Sequence, residues 1–317
     1  PRIREFIAMK RFKNLLVGVQ LKNESHPALE RAAVLARLNE AAVKIVAVHE
    51  ELPPWASKLL PAKVRDWERT VLEESQARLR ALGAPLQDQG LSISTRMLTG
   101  LPFIALIREA LSGGHDLLLK DMDADSAPDR SSLGSTDMHL LRKCPVPVWV
   151  MRPACTKGFS RILAAVDPFP EEDEAADSVN IQVLELATAL ARQEDCKLFI
   201  VRVYESIGQQ FEAPNVNAEE RVHYKEHIQM VRTRNDAEFI GKFASAADQF
   251  DVRYLFGNPD VMISEVARDE AVDLIVMGTV MRSGTPGLLI GRTAENVLRQ
   301  VDCSILGVKP KGFISPL

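Results

Sequence analysis

His223-Tyr-Lys-Glu226-His227 has the spelling that one class of zinc hydrolase uses to bring two imidazoles to a metal from one helix face. The segment falls in a long, charged helical pattern with no third carboxylate nearby, which points to a solvated helix face instead. His115, in a Gly-Gly-His-Asp turn, and His139, on a short helix, read as structural. Asp116 and Asp273 each stand just before an apolar strand, where a turn or cap role outweighs paired acid–base chemistry. No Ser-His-Asp or Cys-His spacing offers a nucleophile. Without a Gly-x4-Gly-Lys-Ser/Thr run, a P-loop NTPase is excluded. Cys144, Cys155, Cys196 and Cys303 form no Cys-x-x-Cys pair, which excludes a disulfide framework and a zinc ribbon. Gly134-Ser135 and Gly278…Gly291-Arg-Thr293 lie between a strand and a helix. Taken alone they are turn glycines followed by Ser135 or Thr293 as a helix cap.

The elements that must position these residues occur twice. Phe12-Lys-Asn-Leu-Leu-Val-Gly-Val-Gln20 matches Phe159-Ser-Arg-Ile-Leu-Ala-Ala-Val-Asp167 at an offset of 147. Gly100-Leu-Pro102 matches Gly257-Asn-Pro259, Asp116–Lys120 matches Asp273–Met277, and Leu133-Gly134 matches Ile290-Gly291, all at 157. The second copy therefore carries about ten extra residues, some of them in the acidic run Glu171–Glu174. In the first copy, apolar runs at Leu15–Val19, Lys44–His49, Leu91–Met97, Leu117–Leu119 and Val146–Met151 alternate with helical patterns at 28–39, 60–82, 103–111 and 135–142. The second copy repeats the order, with helices expected over 179–191, 219–247, 261–268 and 293–298. This alternation predicts an α/β fold: two tandem doubly wound, five-stranded parallel sheets, residues 9–153 and 158–312, whose short linker packs them on each other.

The 317 residues are 46% hydrophobic and 26% charged, ordinary for a folded soluble protein and against disorder. No run approaches the ~20 apolar residues of a membrane span. The start lacks an apolar signal core, and a strand pattern begins just after Met9, the expected natural start; a cytoplasmic protein is expected. The net charge of −4 divides unevenly: residues 1–157 hold 23 basic and 18 acidic side chains, the remainder 16 and 25. With 6% aromatic residues and no basic cluster interleaved with them, sequence-specific nucleic-acid binding is not supported.

Ile162-Leu-Ala-Ala-Val-Asp167, Gly257-Asn-Pro259 and above all Gly278-Thr-Val-Met-Arg-Ser-Gly284…Gly291-Arg-Thr-Ala-Glu-Asn-Val-Leu298 resemble the universal stress protein family. Ser112–Lys120 and Asp137–Pro145 look like its tandem E-type bacterial members. The resemblance implies a cytoplasmic stress-response protein, often dimeric, and in many members ATP held by a loop of pattern Gly-x2-Gly-x9-Gly-(Ser/Thr). Such a loop lets backbone N–H groups approach phosphate at a helix N-terminus. Asp167 matches the acid that contacts base and ribose; Gly278 and Gly291 keep the loop spacing. Met281 stands where the second glycine belongs, and Arg292, before Thr293, where Ser/Thr belongs. Arg292 could supply a guanidinium to phosphate, whereas Met281 makes the crevice more apolar and favours a different ligand. In the first copy Gln20 replaces the acid, and Asp121 and Ala124 the first two glycines. The expected site is thus a nucleotide or small-ligand crevice in the second copy: Asp167, Gly278, Met281, Gly291, Arg292 and Thr293. ATP or another nucleotide is its cofactor, with no metal beyond magnesium carried by the nucleotide, and no catalytic residue is assigned. A homodimer in addition to the intrachain pairing is a further expectation. An interaction protein acting as a pseudo-dimer without nucleotide, and a slow ATPase, are the competing readings.

Overall fold

A computed structural model describes residues 12–50, 62–123, 133–152, 158–168, 174–205, 218–243, 250–280 and 291–317. The first domain runs β1 (Asn14–Gly18), α1 (Pro27–Asn39), β2 (Ala42–His49), α2 (Ala62–Asp88), β3 (Ile93–Thr99), α3 (Pro102–Ser112), β4 (Leu117–Asp121), α4 (Ser135–Lys143) and β5 (Val148–Met151). The second repeats it as β6 (Arg161–Val166), α5 (Glu174–Glu194), β7 (Lys197–Tyr204), α6 (Ala218–Gly241), β8 (Phe250–Phe256), α7 (Pro259–Asp269), β9 (Leu274–Gly278), α8 (Arg292–Gln300) and β10 (Ser304–Val308).

Each half is the expected five-stranded parallel arrangement. The central strands are apolar along their length because both faces are covered: Leu15, Leu16 and Val17 are solvent-free, as are Leu117, Leu118 and Leu119. Helices α1, α2, α5 and α6 cover one face, and α3, α4, α7 and α8 the other. The halves do not simply pack on each other, as the short linker suggested. They share one ten-stranded sheet in the order β3-β2-β1-β4-β5-β10-β9-β6-β7-β8, fused where β5 and β10 pair antiparallel, Ile305 opposite Val150 and Gly307 opposite Val148.

Side chains bolt this seam on both faces. On one, Arg31 of α1 reaches Glu194 of α5 at 2.5 Å, its guanidinium 4.5 Å from the Phe159 ring. On the other, Arg142 of α4 meets Glu295 of α8 at 2.6 Å. Gly307 permits the closest approach. A Cβ there would lie 2.6 Å from Leu141 Cδ2 and 2.9 Å from Thr279 Cγ2.

Helix ends depart from expectation in three places, one of them the end of α6, which closes at Gly241 rather than 247. Helix α5 starts at Glu174 rather than 179, so the acidic run leads into a helix. Helix α2 passes through Pro85 to Asp88 instead of stopping near 82. Leu82 and Leu86 pack on the core there, and this packing outweighs the ring's clash with the preceding turn.

Candidate functional site

In a doubly wound sheet the strand order reverses between the first and fourth strands, and the crevice past their carboxyl ends is where ligands bind. Here that point lies between β6 and β9 in the second half, and between β1 and β4 in the first.

The second crevice begins at Asp167, just past β6. Asn180 of α5 clamps its backbone from both sides, donating to its carbonyl at 3.0 Å and accepting from its N–H at 2.9 Å. The Asp167 side chain is 48% exposed and forms an ion pair with Arg202 of β7. Arg202 is buried; its Nε donates to Asp236 of α6 at 3.0 Å, and the Tyr204 hydroxyl donates to the same carboxylate oxygen at 2.6 Å. Burial raises the Tyr204 pKa, and the hydrogen bond to Asp236 adds to this, so the phenol keeps its proton. On the neighbouring strand, Gly278 ends β9 with α5 close above it: a Cβ would sit 2.7 Å from Val179 Cγ1. Packing against Val179 therefore accounts for that glycine by itself. Thr279, wholly buried, donates to the Leu141 carbonyl of the first domain at 2.9 Å.

Helix α8 starts at Arg292 with Gly291 as its N-cap, extended at φ −60° and ψ 137°, and without a side-chain cap. Arg292 is exposed and Thr293 half-buried. Ser135 likewise lies inside α4, whose N-cap is Gly134. Neither hydroxyl residue is the helix cap that the sequence suggested, because a glycine upstream, Gly134 directly before Ser135 and Gly291 two residues before Thr293, takes the extended cap conformation.

The first crevice is closed by its own side chains. Gln20 Nε2, past β1, donates across the switch point to Asp123 Oδ1. Lys120, buried at the end of β4, gives its three ammonium hydrogens to three oxygens: Asp137 Oδ1 at 2.8 Å, the Asp121 carbonyl at 2.8 Å, and Asp123 Oδ1. Burial alone would lower the Lys120 pKa, but the Asp137 and Asp123 carboxylates outweigh it and hold the ammonium charged. Asp137, solvent-free in the first turn of α4, also accepts from the N–H groups of Asp123 at 3.0 Å and Gly134 at 3.3 Å. An internal carboxylate thus takes the helix N-terminus that would otherwise face an anion. At the Gly278 position, Asp121 instead turns to α1 and accepts the Ala28 N–H at 2.7 Å.

The structure brings Asp167 and Gly278 to adjacent strand ends and starts α8 at Gly291–Thr293; Met281 lies outside the described residues. Arg202, Asp236, Tyr204, Lys120 and Asp137 went unremarked in the sequence as site residues. Two of them left a signal there, since Lys120 and Arg202 are charges inside otherwise apolar strand runs. Asp116 accepts the N–H groups of Lys13 and Asn14, and Asp273 those of Ser160 and Arg161, so each ties the start of its domain's first strand. His223, Glu226 and His227 are exposed on α6. Among the described residues no group of three or more metal-ligating side chains gathers, and no helix is long and apolar enough to cross a membrane.

Fused half-sheets with one switch point each are the architecture of a duplicated doubly wound α/β domain, and comparison with known proteins agrees. The sequence profile of the universal stress protein family matches residues 11–152 and 158–309, and the chain belongs to that family. Within it the chain is a tandem, E-type-like member. It is 29% identical to the universal stress protein E homolog of Haemophilus influenzae, over 95% of this chain and 98% of that protein. It is 26% identical to universal stress protein E of Escherichia coli K12, over 98% of both. Two solved structures share the whole fold. A functionally unknown protein of Pseudomonas aeruginosa PAO1 has a TM-score of 0.75 at 23% identity, covering 96% of this chain and 95% of its own. A universal stress protein of Archaeoglobus fulgidus has a TM-score of 0.60 at 17% identity, covering 93% and 98%.

Proposed function

We propose that this universal stress protein is a cytoplasmic binding module, not an enzyme, with one ligand crevice per chain in its second domain. The observation that carries the reading is the contrast between the crevices. Gln20, Lys120, Asp123 and Asp137 close the first across its switch point, whereas Asp167 in the second is half-exposed and α8 has no carboxylate at the position where α4 has Asp137, its first-turn acid Glu295 pairing with Arg142 instead. Ala294 occupies that position. The ligand is a nucleotide such as ATP, with any magnesium arriving on it, or another phosphorylated small molecule. Asp167, Gly278, Met281, Gly291, Arg292 and Thr293 form the site, with Arg292 offering its guanidinium to phosphate. The family resemblance at Asp167, Gly278 and Gly291 supports the nucleotide, and so does the α8 N-terminus, which has no side-chain cap among the described residues. A homodimer of the tandem chain is part of the same proposal.

One observation favours the interaction-protein reading: the Asp167 carboxylate already has a cationic partner in Arg202. The two readings separate by titration. Native mass spectrometry of the purified protein followed by ATP titration is expected to show binding that Asp167→Ala weakens by about 1 to 3 kcal/mol, through lost hydrogen bonds to the ligand. Unchanged affinity in Asp167→Ala moves the site elsewhere and promotes the interaction reading.

A further inference from the structure

Lys309 follows β10 at the fused seam, and its environment is the reverse of that around Lys120. It is 5% exposed, and its Nζ donates to two oxygens, the Leu141 carbonyl on α4 of the first domain and Thr279 Oγ1 just past β9 of the second. Both acceptors are neutral. An ammonium has three N–H groups and a neutral amine two, so the cradle at Lys309 matches the amine and leaves one buried N–H unpaired in the cation. Lys120 has three acceptors, two of them carboxylates, and is held charged.

The rest of the surroundings offers little compensation. Cys144, just past α4, is the titratable group acting on Lys309. Burial pushes its thiol up to about 11, so it stays neutral across the physiological range. Gln182 of α5 donates to the Lys309 carbonyl at 3.1 Å and carries no charge. The Phe313 ring, 5.5 Å from Nζ, is the remaining contact and favours a cation weakly. Burial, the largest influence, pushes the Lys309 amine down to about 7, against a slight upward pull from Cys144.

We propose that Lys309 is a proton-operated latch between the domains. As a neutral amine it ties the start of the second domain's ligand loop, at Thr279, to α4 of the first, and taking up a proton favours a state in which this tie opens and the ammonium reaches water. The latch needs no bound ligand, so it stands or falls separately from the crevice reading.

The sign follows from linkage. With an amine near 7 when closed and an ordinary lysine near 10.5 when open, the open state binds the proton first as pH falls from 10.5 to 7. The open population therefore grows as pH falls through this window and levels off below it, a rise of roughly 50-fold between pH 9 and pH 7.

The test is hydrogen–deuterium exchange on the full chain at pH 6, 7, 8 and 9, read at the last turn of α4 and at residues 278–280. Each wild-type value is divided by that of Lys309→Met at the same pH, which cancels the intrinsic pH dependence of amide exchange. The expected result is a ratio that climbs from pH 9 to 7 and then flattens, confined to the seam. A ratio independent of pH overturns the proposal. If Lys309→Met fails to fold, the Nζ titration of lysine-labelled wild type decides: a transition near 7 that Thr279→Val displaces supports the latch, and one near 10.5 refutes it.

Discussion

Replacing Lys120 by methionine tests whether the first crevice is truly filled by its own charges. Methionine keeps the length and apolar stem of the side chain but removes the ammonium that joins Asp137, Asp123 and the Asp121 carbonyl. Asp137 is solvent-free and Lys120 4% exposed, so the loss strands a carboxylate in the core and is not screened as a surface pair would be. Breaking one side of such a pair costs about 3 to 5 kcal/mol. Asp137→Asn alone keeps an oxygen for the N–H groups of Asp123 and Gly134 and leaves Lys120 one carboxylate, so a smaller loss of about 1 to 3 kcal/mol is expected. The double variant Lys120→Met with Asp137→Asn should cost less than the sum of the singles by about 1 to 3 kcal/mol, the range of coupling for contacting groups. The assay is urea unfolding followed by circular dichroism on the four proteins of the cycle. A loss below about 1 kcal/mol for Lys120→Met, or strictly additive singles, would refute the picture of a buried ion pair closing this crevice.

Two other perturbations probe different parts of the molecule. Gly307→Ala places a methyl 2.6 Å from Leu141 Cδ2, and the overpacked seam should lower the urea midpoint by the equivalent of about 1 to 3 kcal/mol; an unchanged midpoint would show that the β5–β10 seam yields freely. Burial lowers the His115 pKa despite its hydrogen bond to the Asn14 carbonyl and the pull of nearby carboxylates. The unfolded chain therefore takes up this proton first as pH falls below about 6.5, and stability drops from there towards the folded pKa. His115→Gln should flatten the fall in melting temperature between pH 7 and 5, and an identical slope in the variant would contradict this.

The fold was legible because the chain states it twice, and uninterrupted apolar strands such as Leu117–Leu119 declare a sheet buried on both faces. The fusion of the halves was not legible. Val148–Met151 and Ser304–Val308 are short apolar runs that look the same whether their neighbour runs parallel or antiparallel. The end of α2 was not legible because Gly83 and Pro85 speak locally against a helix, while the packing that keeps it going is tertiary. A Cβ on Gly83 would already lie 3.2 Å from Ile93 and Thr95 of β3. In the candidate site, Gln20 and Asp121 marked the first crevice as altered, but not that Lys120 and Asp137 fill it. Those partners lie 17 residues apart and meet only once β4 and α4 are assembled. Lys309 gave no sign for the same reason, since Leu141 is 168 residues away.

The proposal of a single second-domain crevice is tested most directly by calorimetric titration of the full chain with magnesium-ATP, comparing wild type, Asp167→Ala and Met281→Gly. The account predicts one molecule bound per chain, weakened by Asp167→Ala and tightened by Met281→Gly, as a flexible apolar side chain leaves space near the phosphates. Two equivalent sites per chain, or the same affinity in all three proteins, would contradict it.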